Sequence, residues 1–300
     1  MKRILVATDF SPHADRALAH ALELAKLFSA ELEVFSAAYV PPHALAALAP
    51  GVAPVATGMT PGLVEEARSQ TRERIETLAA TLRTRGIRAT SAISADEPSS
   101  AICTRALETG ADLIAVGTRG HTGLAHVIFG SVAERVAQHA RTAVLTAHAD
   151  SPAPAPYRCV LVPTDFSADS DAAVAWAREL VTRTGGKLVL LHAYDLPSLA
   201  LTGSALAAAH VEKSLADSAR QRLAALRESL RGLEVETLIS GARPDPSILE
   251  TADRARADAI VMGTRGRTGL AHVLLGSTTE RVIRRAQVPV IAVKTAAPAA

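Results

Sequence analysis

Apolar and polar positions follow two alternating periods along this chain. Ile4–Thr8 is a short apolar run of the kind buried on both faces of a parallel sheet. From Ala14 to Phe28 the period lengthens: Ala17, Leu18, Ala21, Leu22, Ala25 and Phe28 recur at helical spacing. Ser11-Pro12 ahead of them supplies an N-cap and a proline for the first turn. A strand over Leu32–Ala37 comes next, then a long connection after Tyr39 and a charged helix from about Leu63 to Arg83. The pattern continues with strands at Ile87–Ser94 and Leu113–Val116 separated by a helix at Ser99–Glu108, then a helix at Val132–His139 and a strand at Ala143–Thr146. Strands alternating with helices predict βαβ crossovers and a parallel sheet covered on both faces. Ligands in such a doubly wound α/β domain sit beyond the carboxyl ends of the strands.

The whole pattern occurs twice. Ile4-Leu-Val-Ala-Thr-Asp-Phe-Ser11 returns as Val160-Leu-Val-Pro-Thr-Asp-Phe-Ser167, an offset of 156. Gly117-Thr-Arg-Gly-His-Thr-Gly-Leu-Ala-His-Val127 returns as Gly263-Thr-Arg-Gly-Arg-Thr-Gly-Leu-Ala-His-Val273, an offset of 146. Asp112–Thr146 and Asp258–Ala292 align without gaps at 19 identities in 35 positions. The ten residues by which the offsets differ fall in the Pro/Ala-rich connection after Tyr39, whose counterpart is the shorter Leu196–Ala209. Internal self-similarity of this kind marks a tandem duplication. The expected division is a first domain over 1–148, a semi-rigid extended Pro/Ala linker over 149–156, a second domain over 157–295 and a disordered tail over 296–300.

Composition narrows the function classes. The 300 residues contain 48% hydrophobic and 21% charged positions, a globular balance that excludes disordered and fibrous chains. Aromatics at 3% disfavour a stacking platform for single-stranded nucleic acid, and a net charge of +2 is too small for a general polyanion binder. Two cysteines, Cys103 and Cys159, cannot make a disulfide framework and fit a reducing compartment. Val34–Val64 carries no Asp, Glu, Lys or Arg, yet its five prolines and three glycines rule out a continuous spanning helix. With no signal-peptide core after Met1-Lys2-Arg3, the expectation is a soluble, cytoplasmic protein that binds neither nucleic acid nor membrane.

The chemistry-bearing residues stand at predicted strand ends. Asp9 and Asp165 close the first strand of each copy. A carboxylate there either accepts from a ribose hydroxyl or base amino group, or caps the following helix as a turn former. The fourth strands end in Gly117-Thr118-Arg119-Gly120 and Gly263-Thr264-Arg265-Gly266. Nine residues later come Gly130-Ser131 and Gly276-Ser277, each opening a helix. Glycines let phosphate oxygens approach backbone amides, and a helix N-terminus adds its positive dipole end. Ser131-x-x-Glu134 and Ser277-x-x-Glu280 also read as capping boxes. A capping serine can still offer its hydroxyl outward.

This G-x2-G-x9-G-[ST] spacing, together with the aspartate closing the first strand, resembles the ATP-binding signature of the universal stress protein family. The resemblance covers essentially the whole chain in the family's tandem form. It implies two Rossmann-like domains of the adenine nucleotide alpha hydrolase-like type, each a five-stranded parallel sheet of order 3-2-1-4-5 flanked by helices. It also implies residue roles: Asp9 and Asp165 at the ribose or adenine, Ala37 and Ala193 lining the adenine pocket. Gly117, Thr118, Arg119, Gly120, Gly130, Ser131 and Val132, with Gly263, Thr264, Arg265, Gly266, Gly276, Ser277 and Thr278, would hold ribose and phosphates. ATP with Mg²⁺ or Mn²⁺ is the implied ligand. The closing strands Ala143–Thr146 and Val290–Val293 are implied pairing edges, which gives an internal pseudo-dimer able to pair again as a homodimer.

Other constellations carry less. His121 is replaced by Arg267 in the second copy, and His126 and His272 lack the acidic base of a zinc helix. There is no P-loop lysine and no nucleophile elbow. Cys103 has Leu249 as its counterpart, which argues against a catalytic thiol. Arg281, Arg284 and Arg285 on one late helix read as a solvated face. With no general base or positioned nucleophile beside the glycine loop, the expected function is nucleotide-dependent regulation with little or no hydrolysis, exercised through a protein partner. A slow ATP hydrolase or nucleotidyl-transferring enzyme and a nucleotide-free scaffold are the alternatives.

Overall fold

The computed structural model describes residues 1–39, 61–118, 130–154, 156–195, 205–266 and 275–295. It divides into two compact units, residues 1–142 and 143–300. The first unit contains β1 (Arg3–Ala7), α1 (Pro12–Phe28), β2 (Glu31–Ala37), α2 (Pro61–Thr84), β3 (Ala89–Ser94), α3 (Pro98–Thr109), β4 (Leu113–Gly117) and α4 (Ser131–His139). Its sheet is parallel in the order β3-β2-β1-β4.

The second unit begins with β5 (Ala143–Ala147). It continues through β6 (Cys159–Pro163), α5 (Ala168–Thr184), β7 (Lys187–Ala193), α6 (Ala205–Ser229), β8 (Glu234–Ser240), α7 (Pro244–Ala255), β9 (Ala259–Gly263), α8 (Ser277–Arg285) and β10 (Val290–Val293). Strands β8-β7-β6-β9-β10 are parallel neighbours, the expected 3-2-1-4-5 order. β5 then adds to β10 antiparallel, with Leu145 opposite Ile291. The unit boundary therefore falls ahead of the first copy's last strand, whereas the sequence repeat places it at 148.

Burial explains the strands. Ile4, Leu5 and Val6 of β1 are wholly buried, as are Val160, Leu161 and Val162 of β6, because helices cover both sheet faces. The outer strands β3 and β8 are largely half-exposed, and there polar residues interrupt the apolar run. Helix starts follow local chemistry. Ser11 caps α1 by accepting from the Ala14 amide, with Pro12 in the first turn, and Ser167 caps α5 by accepting from the Ser170 amide. α6 starts at Ala205, inside the connection read over Leu196–Ala209, because an alanine-rich run continues the helix toward its N-terminus.

The region read as an extended linker begins with a turn instead, the Ser151 amide donating to the His148 carbonyl at 3.1 Å. Cys103 and Cys159 are not joined in a disulfide. Among the described residues no helix is long and apolar enough to cross a membrane. The connection over 40–60, the loop residues 119–129, residues 196–204 and 267–274, and the tail 296–300 lie outside the described residues. The expectations for Arg119, Gly120, His121, His126, His272 and the tail fall there.

Candidate functional site

Each copy builds the same turn at the carboxyl end of its first strand. The strand is held to its neighbour one residue past its end, with the Thr8 amide on the Phe35 carbonyl and the Thr164 amide on the Leu191 carbonyl, both at 2.8 Å. The chain then passes through a left-handed residue, Phe10 at φ 61° or Phe166 at φ 62°. That conformation costs a non-glycine residue about 1–2 kcal/mol. Three contacts hold it. The Thr8 and Thr164 hydroxyls accept from the Phe10 and Phe166 amides at 2.9 and 3.0 Å. Asp9 and Asp165 accept through Oδ1 from the Ser11 and Ser167 amides at 3.0 and 3.1 Å. Arg74 of α2 and Arg222 of α6 lie over the two phenylalanine rings at 3.8 and 4.0 Å. Each aspartate thus uses one oxygen, Oδ1, as a turn former.

The glycines of the loop have separate reasons, visible in what a Cβ would meet. At Gly117 it would stand 2.6 Å from the Ala14 amide nitrogen, and at Gly263 2.7 Å from the Asp169 carbonyl carbon. These two glycines let the fourth strand of each copy pass under the first turn of the helix that follows the first strand. At Gly266 a Cβ would lie 2.9 Å from Asp165 Oδ2, so this glycine makes room for the carboxylate. Gly276 donates its amide to the Thr264 carbonyl at 2.7 Å, and Gly130 does the same to Thr118 at 2.7 Å. Eleven residues separate these tied ends, and the nine-residue gap between the motif glycines is the greater part of that length.

The capping boxes do not form. Gly130 and Gly276 occupy the N-cap positions with extended backbone, no side chain caps either helix, and Ser131 and Ser277 sit at the first helical position. A serine caps only from the extended N-cap conformation, and glycine has taken it. Glu280 instead pairs with Arg284 at 2.6 Å, and Glu134 accepts from Gln138 at 3.3 Å. Among the described residues no side chain caps the N-terminus of α8, the arrangement that attracts anions.

Thr264 and Arg265 turn toward α5. Asp169, 4% exposed in its first turn, accepts from the Thr264 hydroxyl at 3.0 Å and the Arg265 amide at 3.1 Å. It also grips the Arg265 guanidinium through Nε at 3.0 Å and Nη2 at 3.2 Å. The Thr295 hydroxyl and amide, just beyond β10, donate to Oδ1 at 2.7 and 3.1 Å. Burial alone would raise this carboxyl's pKa. The bonds from Arg265, Thr295 and Thr264 outweigh it and hold the value at about 2. The first copy has His13 at this place, its Nδ1 3.2 Å from the buried Thr118 hydroxyl.

A cavity of about 310 Å³ opens at the carboxyl ends of β6, β7 and β9. Asp165, Ala193, Gly263, Arg265, Gly266, Gly276, Ser277 and Thr278, eight of the nine positions picked from the second copy, line it; Thr264 does not. Sequence reasoning missed the apolar part of the wall: Pro163, Leu191, Ile248 and Met262, with Pro244 and Thr279. Pro163 stands two residues before Asp165 in the repeated first strand and was the available signal. Hollows of about 660 and 720 Å³ open elsewhere and contain no motif residue. In the first copy Asp9 and Ser131 are exposed, while Ala37, Gly117, Gly130 and Val132 are half-buried around the strand ends. The late-helix arginines are ion-paired, not simply solvated: Arg281 and Arg285 face buried Asp245 at 3.6 and 4.0 Å, beside Arg243 at 3.3 Å. Among the described residues no cluster of three or more His, Cys, Asp or Glu could hold a metal ion.

Comparison with known proteins matches this arrangement twice over. The family model described as "Universal stress protein family" matches residues 1–148 and 156–294. A universal stress protein of Mycobacterium bovis is 33% identical over 184 residues, 60% of this chain; the match spans 61% of that relative's length. One from Methanocaldococcus jannaschii is 29% identical over 154 residues, covering 46% of this chain and 95% of the relative. The crystal structure of a universal stress protein from Archaeoglobus fulgidus superposes with a TM-score of 0.70 at 25% identity, covering 97% of this chain and 98% of the other.

Proposed function

The chain belongs to the universal stress protein family, and on that premise we propose that it binds an adenine nucleotide, ATP in the first instance, at the strand ends of its second copy. The observation that carries the reading is the 310 Å³ cavity, which gathers an aspartate, a small-residue strand end and an uncapped helix N-terminus from distant parts of the chain. Its size lies at the lower end of small-ligand pockets, about 300–1,000 Å³. The apolar wall of Leu191, Ala193 and Met262 suits a base, Asp165 suits ribose hydroxyls, and the first amides of α8 suit a phosphate. Mg²⁺ or Mn²⁺ would enter with the phosphates and not through a protein ligand set.

The role is regulatory: nucleotide occupancy changes the surface offered to a protein partner, and hydrolysis is slow or absent. Among the described residues Asp165 is the one carboxylate lining the cavity, and one of its oxygens is committed to the turn, which argues against a residue placed to activate water. Calorimetric titration of ATP and Mg²⁺ into nucleotide-stripped protein tests the reading. Saturable binding that Gly276→Val abolishes supports it. Protein that neither releases heat nor gains thermal stability with ATP overturns it and leaves the scaffold reading. A turnover above about 1 s⁻¹, within the ordinary enzyme range, would overturn the regulatory assignment.

A further inference from the structure

Arg265 belongs to the glycine loop and lines the cavity, and its guanidinium is already engaged. Asp169 holds it through Nε and Nη2 at 3.0 and 3.2 Å, and Nη2 also reaches the Thr295 hydroxyl at 3.2 Å. The pair is asymmetric in exposure: the arginine side chain is 42% exposed, while the aspartate is 4%. An arginine leaving for a phosphate would exchange one charge-assisted pair for another and strand a buried carboxylate with one cation fewer. The cost of leaving the buried carboxylate is the same for a monophosphate as for a triphosphate, and it opposes the exchange in both cases.

Nothing in the motif requires this arrangement. The first copy has His13 where Asp169 stands and Ala149 where Thr295 stands, so neither the carboxylate nor the supporting hydroxyl is repeated. The clamp is a property of the second copy alone.

We propose that Asp169 is a positioning residue that sets the charge preference of the second site: by withholding Arg265 from the phosphates, it makes this site accept adenosine-based ligands with little regard to phosphate number. The inference rests on the adenine-nucleotide reading of the cavity. Recognition then falls to the base and ribose contacts and to the first phosphate at the α8 N-terminus. Such a site responds to the total pool of adenosine-based ligands and not to the proportion of triphosphate.

The test is a nuclear magnetic resonance titration of the full chain with metal-free adenosine, AMP and ATP, read at the amides of Gly276 and Ser277 and at the Arg265 Nε–H, the latter identified by its loss in Arg265→Lys. In the unsubstituted protein, AMP and ATP should bind with similar constants, and the Arg265 Nε–H should stay in place when ATP is added. Asp169→Asn releases the guanidinium and should shift the ATP-to-AMP affinity ratio toward ATP by about tenfold, the strength of a charge-assisted bond. Adding Arg265→Ala to that variant should remove the gain. A purely structural role for Asp169 would weaken all three ligands together and leave the ratio unchanged, which would overturn the proposal. So would an Arg265 Nε–H that moves off its position with ATP but not with adenosine, a result the unsubstituted protein delivers even if Asp169→Asn does not fold. Amides of the site that respond to none of the three ligands would overturn the nucleotide reading itself and this inference with it.

Discussion

A glycine in a binding signature can serve the ligand or the protein, and here the two cases separate residue by residue. Gly263→Ala would drive a methyl group into the backbone of Asp169 and Ser170, at 2.7 and 2.8 Å. Backbone in a helix start cannot step aside, so the expected cost is about 2–3 kcal/mol of stability, measured by urea denaturation. Among the described residues Gly266→Ala meets the Asp165 carboxylate, which can swing away from the cavity. It should leave the melting temperature nearly unchanged and weaken nucleotide binding about tenfold in calorimetry, the worth of one hydrogen bond to a charged group. Asp169 has its own signature. Its folded pKa of about 2 lies below the unfolded value. The stability it contributes is therefore complete above about pH 4 and is lost as the pH falls through 2. The loss should be about 2 kcal/mol, and Asp169→Asn should flatten that part of the stability-against-pH curve.

At the scale of elements, the two copies solve the same packing problem with different chemistry. Where α3 crosses β2, Arg105 pairs with Glu33 at 2.6 Å, the carboxylate being 6% exposed, and Glu33 Oε2 has no partner among the described residues. Where α7 crosses β7, the equivalent positions are Val189 and Thr251, both buried. Removing one partner of a buried pair strands the other, whereas replacing both with fitted uncharged residues is often neutral. Arg105→Ala should accordingly destabilise the first unit by about 2–3 kcal/mol. Glu33→Val with Arg105→Thr, which copies the second unit, should restore most of that loss. Thermal unfolding of the three variants decides it, and a double variant as unstable as Arg105→Ala would show that the ion pair contributes net stability. Charge has also moved between the helices near the cavity: Glu97 meets Arg135 at 3.4 Å in the first copy, while Asp245 meets Arg281 in the second.

At the scale of the molecule, the strand that ends the first repeat pairs with the strand that ends the second. β5 lies antiparallel to β10 with Val144, Leu145 and Thr146 opposite Ala292, Ile291 and Val290. The buried β5 side chains and these backbone bonds close an edge that the repeat alone leaves open. Leu145→Pro, made in the full chain, removes a backbone donor from β5 and should speed amide exchange across Val290–Ala292. β1 and β2 should keep their protection. Unchanged exchange at β10 would mean the pairing contributes nothing to the second unit's cohesion.

The amino-acid sequence by itself determined the duplication, the alternation of strands and helices, the order of the strands, and the segments that would meet around a site. These follow from periodicity and from the few ways βαβ units can connect, which depend on near neighbours in the chain. The glycine spacing found the loop, and the repeated Thr-Asp-Phe-Ser found the turn opposite it. Only the tertiary structure decided which residues face which across it. Asp169 and Arg265 are 96 positions apart, and their meeting depends on β9 passing under α5 closely enough to exclude a Cβ at Gly263. The capping boxes failed for a similar reason, since the bond from Gly276 to the Thr264 carbonyl puts the glycine at the N-cap ahead of the serine. Side-chain chemistry names the groups that can bond, but distance selects among them, and packing sets distance.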